Sequence, residues 1–291
     1  MLNYRKYINE NDYNIMRRIL QQNCKNTGHL YPQLHIGALD FDRFSFGDVM
    51  CETTWLVLKD KDEIGFIILD EDEFYIKILH DYVNCFSEIL SYIESSLFKK
   101  GDTITTEANS KDICYCKVLK QKGYTRTSSY RFNGFCDLSK ISTYIPLPSG
   151  FYIRETDLKD IDRRVELFGI ATGGITTTYE YYRDMMNSPS YNNAMDLVVI
   201  DVENEKIVAY CTMWDDPVSK ISVLEPVACV EEYRHRGIMK STLLYGMNKL
   251  KERGTRYMYV STGGGNTASQ ALYKSVGFNE YGKNYEWKKQ L

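Results

Sequence analysis

The sequence lacks most of the features that announce a function at first sight. Eight cysteines are present among its 291 residues (Cys24, Cys51, Cys85, Cys114, Cys116, Cys136, Cys211 and Cys229), yet no two form a C-x-x-C pair. With irregular spacing and no such pair, neither a zinc ribbon nor a thioredoxin-like site is expected, and no metal is assigned. Mostly buried free thiols in a reducing compartment are the ordinary reading. Cys114-Tyr115-Cys116 falls in a helical stretch, where residues two apart face different sides. No apolar run approaches the ~20 residues that span a bilayer. No apolar segment follows Met1–Lys6, so no secretory signal is visible. A net charge of −3 gives no field to attract nucleic acid or an anionic membrane. A G-x-x-x-x-G-K-[ST] loop is missing too, which disfavours P-loop nucleotide hydrolysis. What remains is the expectation of a soluble, cytoplasmic protein without nucleic-acid or membrane partners. Its 43% hydrophobic and 26% charged residues are ordinary for a globular chain.

The length favours two domains, and the order of elements repeats. Tyr7-Ile8-Asn9-Glu10 and Tyr152-Ile153-Arg154-Glu155 each read as a short strand ahead of a capped helix. Lys117–Tyr124 and Ala271–Phe278 match as helix ends closed by Gly123 and Gly277. Between the halves, Pro146, Pro148 and Gly150 interrupt any ladder. The expected units are 1–143 and 151–291, joined by a linker at 144–150. In each, alternating runs predict a hairpin meander, and helical spacing such as Phe86, Ile89, Leu90, Ile93 and Leu97 predicts flanking helices. The fold class is α/β: twice a mostly antiparallel mixed sheet flanked by helices.

The chemistry is concentrated in the second half. Leu224–Val230 reads as a buried strand running through Glu231–Gly237 into a helix. A strand that turns into a helix N-terminus presents unpaired N–H groups and the positive end of the dipole to an anion. Gly237 permits close backbone approach, and Arg234 and Arg236 add phosphate-matched charge. Downstream, Asn266 is placed to cap a helix, with Tyr273 two turns later on roughly the same face.

Together, Arg234-His235-Arg236-Gly237-Ile238-Met239 and Asn266 through Phe278 resemble the two signature segments of the GNAT superfamily of N-acetyltransferases. Met239 stands where Gly or Ala is usual, which is expected to narrow the turn slightly, and Ser269 replaces an alanine. The resemblance covers about 151–289. It implies that acetyl-CoA lies in a gap between two splayed strands. Backbone groups near Cys229 and Val230 would hold the pantetheine arm, and the amides of Arg234, His235, Arg236, Gly237, Ile238, Met239 and Lys240 would hold the pyrophosphate. Asn266 would contact the pantetheine. Tyr273 would protonate the departing thiolate, and the Val230 amide would face the oxyanion. The amine needs a base, and Glu225 is chosen because a period-two count sets it on the face of Cys229. A structural carboxylate in an edge salt bridge is the competing reading of Glu225. Asp215 and Asp216 read as a solvated turn, with attraction of a cationic substrate as the alternative. His235 is taken as part of the phosphate turn rather than as a base. Ser261 and Thr262 are expected beside the cleft.

The equivalent stretch of the first half, Ile78–Phe86, has no glycine and no arginine and carries Asp81, and Leu119 replaces Tyr273. A degenerate half that does not bind CoA is expected, shaping the acceptor pocket, packing against the catalytic half or forming a homodimer contact. The aromatic-rich stretch from His29 to Phe46 is a candidate cover or an ordinary helical hairpin. The overall expectation is transfer of an acetyl group from acetyl-CoA to a primary amine of a small molecule or peptide, by direct attack on the thioester. A non-catalytic CoA sensor is the alternative. An aminoacyl transferase of paired domains is disfavoured by the phosphate turn and by the lack of a basic stripe.

Overall fold

A computed structural model describes residues 1–26, 34–45 and 49–291. The first half runs β1 (Leu2–Lys6), α1 (Glu10–Asn26), α2 (Ile36–Ser45), α3 (Met50–Thr53), β2 (Thr54–Lys59), β3 (Asp62–Asp70) and β4 (Glu73–Ile78). A tight helical turn at His80–Cys85 leads into α4 (Phe86–Tyr92), followed by β5 (Thr103–Asn109), α5 (Ile113–Gln121) and β6 (Thr125–Asp137). The second half repeats the order with β7 (Phe151–Glu155), α6 (Ile161–Thr172), α7 (Tyr179–Met186), β8 (Asp196–Asp201), β9 (Lys206–Asp216) and β10 (Ile221–Cys229). It closes with α8 (Ile238–Glu252), β11 (Tyr257–Gly263), α9 (Thr267–Ser275) and β12 (Asn279–Gln290).

Local chemistry recurs at matching places. Arg5 forks onto Asp12 at 2.7 and 2.8 Å, and Arg154 forks onto Asp160 at 2.5 and 2.7 Å. In each case the same carboxylate also accepts the amide that opens the next helix. Asp112 caps α5 and Asn266 caps α9 through the amide three residues on. Gly123 and Gly277 both take positive φ just past those helices. The first strand lies at Leu2–Lys6 rather than at Tyr7–Glu10, because Tyr7–Asn9 forms the entry to α1 beneath the Asp12 carboxylate. α7 was not anticipated; Thr178 caps it through the Tyr181 amide. Of the aromatic-rich stretch, 29–33 and 46 lie outside the described residues, and the part within α2 packs on the second half.

The two halves share one sheet. Its twelve strands run β1-β2-β3-β4-β5-β12-β6-β11-β10-β9-β8-β7. The last strands are exchanged: β12 pairs with β5 of the first half, and β6 pairs with β11 of the second. The exchange reaches the cores. Trp287 of β12 is buried with Phe74, Phe86 and Leu119, while Phe132 and Cys136 of β6 are buried with Leu243, Met258 and Phe278. A cut at the 144–150 linker would therefore strip a strand from each half. The helices α4, α5, α8 and α9 cover one face of the sheet, and α1, α2, α6 and α7 cover the other. α2 comes close to β9: a Cβ on Gly37 would lie 2.1 Å from the Trp214 Cβ.

Candidate active site

β10 and β11 begin as parallel neighbours and then part. Their register runs from Ile221↔Tyr257 to Leu224↔Val260 and stops. Beyond it, β10 follows β9 to Cys229, and β11 follows β6 to Gly263. The parting coincides with a bulge in β10, where the register to β9 shifts between Leu224 and Val227. An extra residue in one strand bends it and reverses the alternation beyond. Val223 consequently packs toward α6 and α7, whereas Val227 and Cys229 pack into the core under α8. The period-two count that put Glu225 on the face of Cys229 fails for this reason. Glu225 sits at the bulge with its charge directed to Arg131 and Asp42 on the α2 side.

The edge of β10 that faces the gap carries unspent backbone groups, but Val230 is not among their donors. Its amide donates to the Val208 carbonyl at 2.9 Å, and its own carbonyl accepts from Tyr233 at 3.0 Å. Amides alternate sides along a strand, so those of Ala228 and Val230 serve β9 while those of Val227 and Cys229 turn to the gap. The expected Val230 donor is thus replaced by Cys229 and Val227.

The turn after β10 is open. Glu231–Tyr233 makes one tight helical turn, His235 and Gly237 take φ of +61° and +80°, and Gly237 ends the entry to α8 with no side chain capping it. The first amides of α8 therefore point outward without intrahelical acceptors. Arg234, His235, Arg236 and Gly237 are exposed. The Arg234 Nε donates to the Cys229 carbonyl at 3.0 Å, and the Arg236 guanidinium lies 5.1 Å from the Tyr233 ring. Met239 is buried in the core, Ile238 is buried beside it and Lys240 is half-buried. A cavity of about 480 Å³ adjoins the turn, lined in part by Arg163, Lys206, Tyr233 and Arg236.

Tyr273 lies on the α8–α9 side, 5% exposed and edge-on to Phe278 at 5.9 Å. Burial pushes its pKa up, and the Glu225 charge adds to the rise. Asn266 is exposed at the mouth of α9; its Oδ1 accepts from the Ser269 amide at 3.1 Å. The Cys229 thiol is pushed up to about 11 by burial, against the pull of Arg234 and Arg236, so it is neutral at physiological pH.

Glu225 is raised above the usual carboxylate range, first by lost hydration and against the pull of Arg131. No ion pair holds it among the described residues, so the salt-bridge reading does not apply. The Trp214 Nε1 donates to its carbonyl at 2.6 Å, fixing the backbone at the bulge. Ser261 faces the same side and accepts from the Arg131 Nε at 3.1 Å, while Thr262 follows it half-buried. Asp215 and Asp216 lie at the far end of β9. They are neither solvated nor near the gap: Asp215 accepts from Thr255, and buried Asp216 accepts from Ser219 and from Gln21 of α1. The residues missed by sequence reasoning are two that the first half contributes, Arg131 and Asp42. No local motif marks them, since only the exchange of β6 and the docking of α2 bring their charges within reach of Glu225.

Among the described residues, no group of three or more His, Cys, Asp or Glu is arranged for a metal, and no helix is long and apolar enough to cross a membrane. Residues 166–278 match the model of the acetyltransferase (GNAT) family. No curated protein matches the sequence. Among solved structures, a GCN5-related N-acetyltransferase from Sphaerobacter thermophilus is similar over 99% of this chain and 95% of its own, at 16% identity and a TM-score of 0.67. A GNAT-family acetyltransferase from Colwellia psychrerythraea aligns over 98% of this chain and 99% of its own, at 11% identity and a TM-score of 0.69. A tandem GNAT protein from the clavulanic acid biosynthesis pathway aligns over all of this chain and 98% of its own, at 11% identity and a TM-score of 0.66. Residues 166–278 thus match the GNAT acetyltransferase family's model, and the chain along its length has the fold of these solved structures.

Proposed function

We propose that the protein is a cytoplasmic, acetyl-CoA-dependent N-acetyltransferase acting on a primary amine. The observation that carries this reading is the parting of β10 from β11 beside an uncapped α8 N-terminus. GNAT proteins use acetyl-CoA, and the chain's features suit its parts. Outward amides and two arginines fit a pyrophosphate, and the free edge of a strand fits the amide-bearing pantetheine arm.

The two sides of the gap divide the work. On the α8–α9 side, the amides of His235–Lys240 and the guanidinium groups of Arg234 and Arg236 would bind the pyrophosphate, with the Asn266 Nδ2 near the arm. Buried and protonated, Tyr273 is a proton donor to a departing thiolate. The Cys229 amide, turned into the gap, is the donor for charge that develops on the acyl oxygen. On the α2 side, Glu225 takes the proton of the amine, directly or through water. A neutral Cys229 thiol is a poor nucleophile, which favours direct attack by the amine over an acyl-cysteine intermediate.

The experiment is to titrate the full chain with acetyl-CoA by calorimetry and to follow thiol release across an amine panel. Binding with amine-dependent release supports the transferase. Binding with no release from any amine replaces it with a CoA sensor, and no binding removes both.

A further inference from the structure

The acceptor side of the gap is built largely by the other half of the molecule. Arg131 stands on β6, opposite Gly263 of β11 and Asn284 of β12. Its Nε is held by Ser261, while its two terminal nitrogens meet no acceptor among the described residues. It is exposed, and its charge reaches Glu225, Asp42 and Glu107 without forming an ion pair with any of them. Asn133, beside it on the same face, is fully buried, and its Oδ1 finds no donor. Asp42 comes from α2, whose position is set by Phe41 against Trp214 at 6.3 Å, the same tryptophan that holds the Glu225 carbonyl.

The charges around this basin are separated rather than uniform. Glu225 and Asp42 form an acidic end; lost hydration raises both, and the Glu225 charge adds to the rise at Asp42. Asp42 is exposed, so solvent screens the pair. Arg131 forms the cationic end, with Glu107 and Lys77 balancing one another behind it and Asp70 and Glu73 farther out on β3 and β4. A plain amine would leave the guanidinium without an anion. A polyamine would set a second cation against it.

Resting on the transferase reading above, we propose that the acceptor is zwitterionic: a primary amine that also carries a carboxylate. The amine meets Glu225 and Asp42, and Arg131, supplied by the exchanged strand, holds the carboxylate as a charge-assisted fork.

The test uses matched acceptors with the full chain and acetyl-CoA: alanine against ethylamine, and 5-aminopentanoate against pentylamine and 1,5-diaminopentane. In at least one set, the carboxylate-bearing member should exceed its partners by about tenfold or more in kcat/KM. Arg131→Gln should collapse that ratio toward one, mainly through the KM of the zwitterion, and Arg131→Lys should keep part of it. Equal or better use of ethylamine, pentylamine or the diamine overturns the proposal, as does a ratio that survives Arg131→Gln. If acetyl-CoA binds and carboxylate-free amines are the better acceptors, only the zwitterion inference falls. If acetyl-CoA does not bind, or no acceptor turns over, the transferase reading falls with it.

Discussion

The molecule makes the same strand-to-helix junction twice and builds it in opposite ways. In the second half, β10 leaves its parallel neighbour, passes through an exposed turn with two positive-φ residues and enters α8 with its first amides unspent. In the first half, β4 leaves β5 earlier still, with Glu73↔Thr105 their only paired position. There the chain winds at once into His80–Cys85. The Tyr82 amide donates to Leu79, and the Phe86 amide, at the start of α4, donates to Val83. No glycine or arginine stands there, Asp81 does, and Leu119 is buried where α9 has Tyr273. Parting two strands is therefore not enough to make an anion site. The amides must also be left without acceptors and the surrounding charge must be positive.

The comparison can be broken most forcefully by removing β12. Ending the chain at Phe278 should abolish cooperative folding of both halves, because β5 and β6 lose their shared neighbour and the first core loses Trp287. Circular dichroism with urea titration reads this directly, and a native-like first half in the truncated chain would show that the halves fold separately. Next in size, Tyr273→Phe should lower kcat about tenfold to a hundredfold while acetyl-CoA affinity stays within a factor of a few. Equal turnover would take Tyr273 out of the mechanism.

Arg234→Ala should weaken acetyl-CoA binding by about tenfold, the size of one charge-assisted contact, whereas Asp81→Ala at the closed junction should leave the binding isotherm and its single site per chain as they were. A second site appearing in calorimetry would end the contrast between the junctions.

The pH dependence follows from Glu225. Its folded pKa is raised, and a base works only after ionising, so activity should climb with pH through a limb above the ordinary carboxylate range. Glu225→Gln should lose that limb along with most of the rate. The same shift bears on stability with the opposite sense. As pH rises from the unfolded carboxylate pKa to the raised folded one, the wild type should lose stability relative to Glu225→Gln, because the folded state resists the charge. A wild-type protein that gains relative stability over that window would contradict the assignment.

Much of the candidate site was legible because it is local. A helix N-terminus after a strand, a glycine at positive φ, an asparagine cap and a tyrosine two turns later are set by residues a few places apart. Where the reading went astray, a non-local fact intervened. The bulge at Glu225 reversed an alternation that no nearby residue announces, and it moved the gap-facing amide from Val230 to Cys229. Asp215 and Asp216 looked solvated because their partners Gln21, Thr255 and Ser219 are gathered from three places in the chain.

By itself the sequence determined the resemblance to GNAT acetyltransferases, most of the order of strands and helices in each half, and the half whose strand-to-helix turn carries a glycine and two arginines. Each of these rests on period, caps and short motifs that operate within one or two turns or strands. Only the tertiary structure decided that β6 and β12 trade places and that α2 lies against Trp214. Strand pairing is chosen by backbone hydrogen bonds, which any residue but proline can make, and by core faces that both halves present alike. Pairing partners were thus invisible in the chain. With them went the knowledge that the charges of Arg131 and Asp42, far from the motifs in sequence, lie within reach of Glu225.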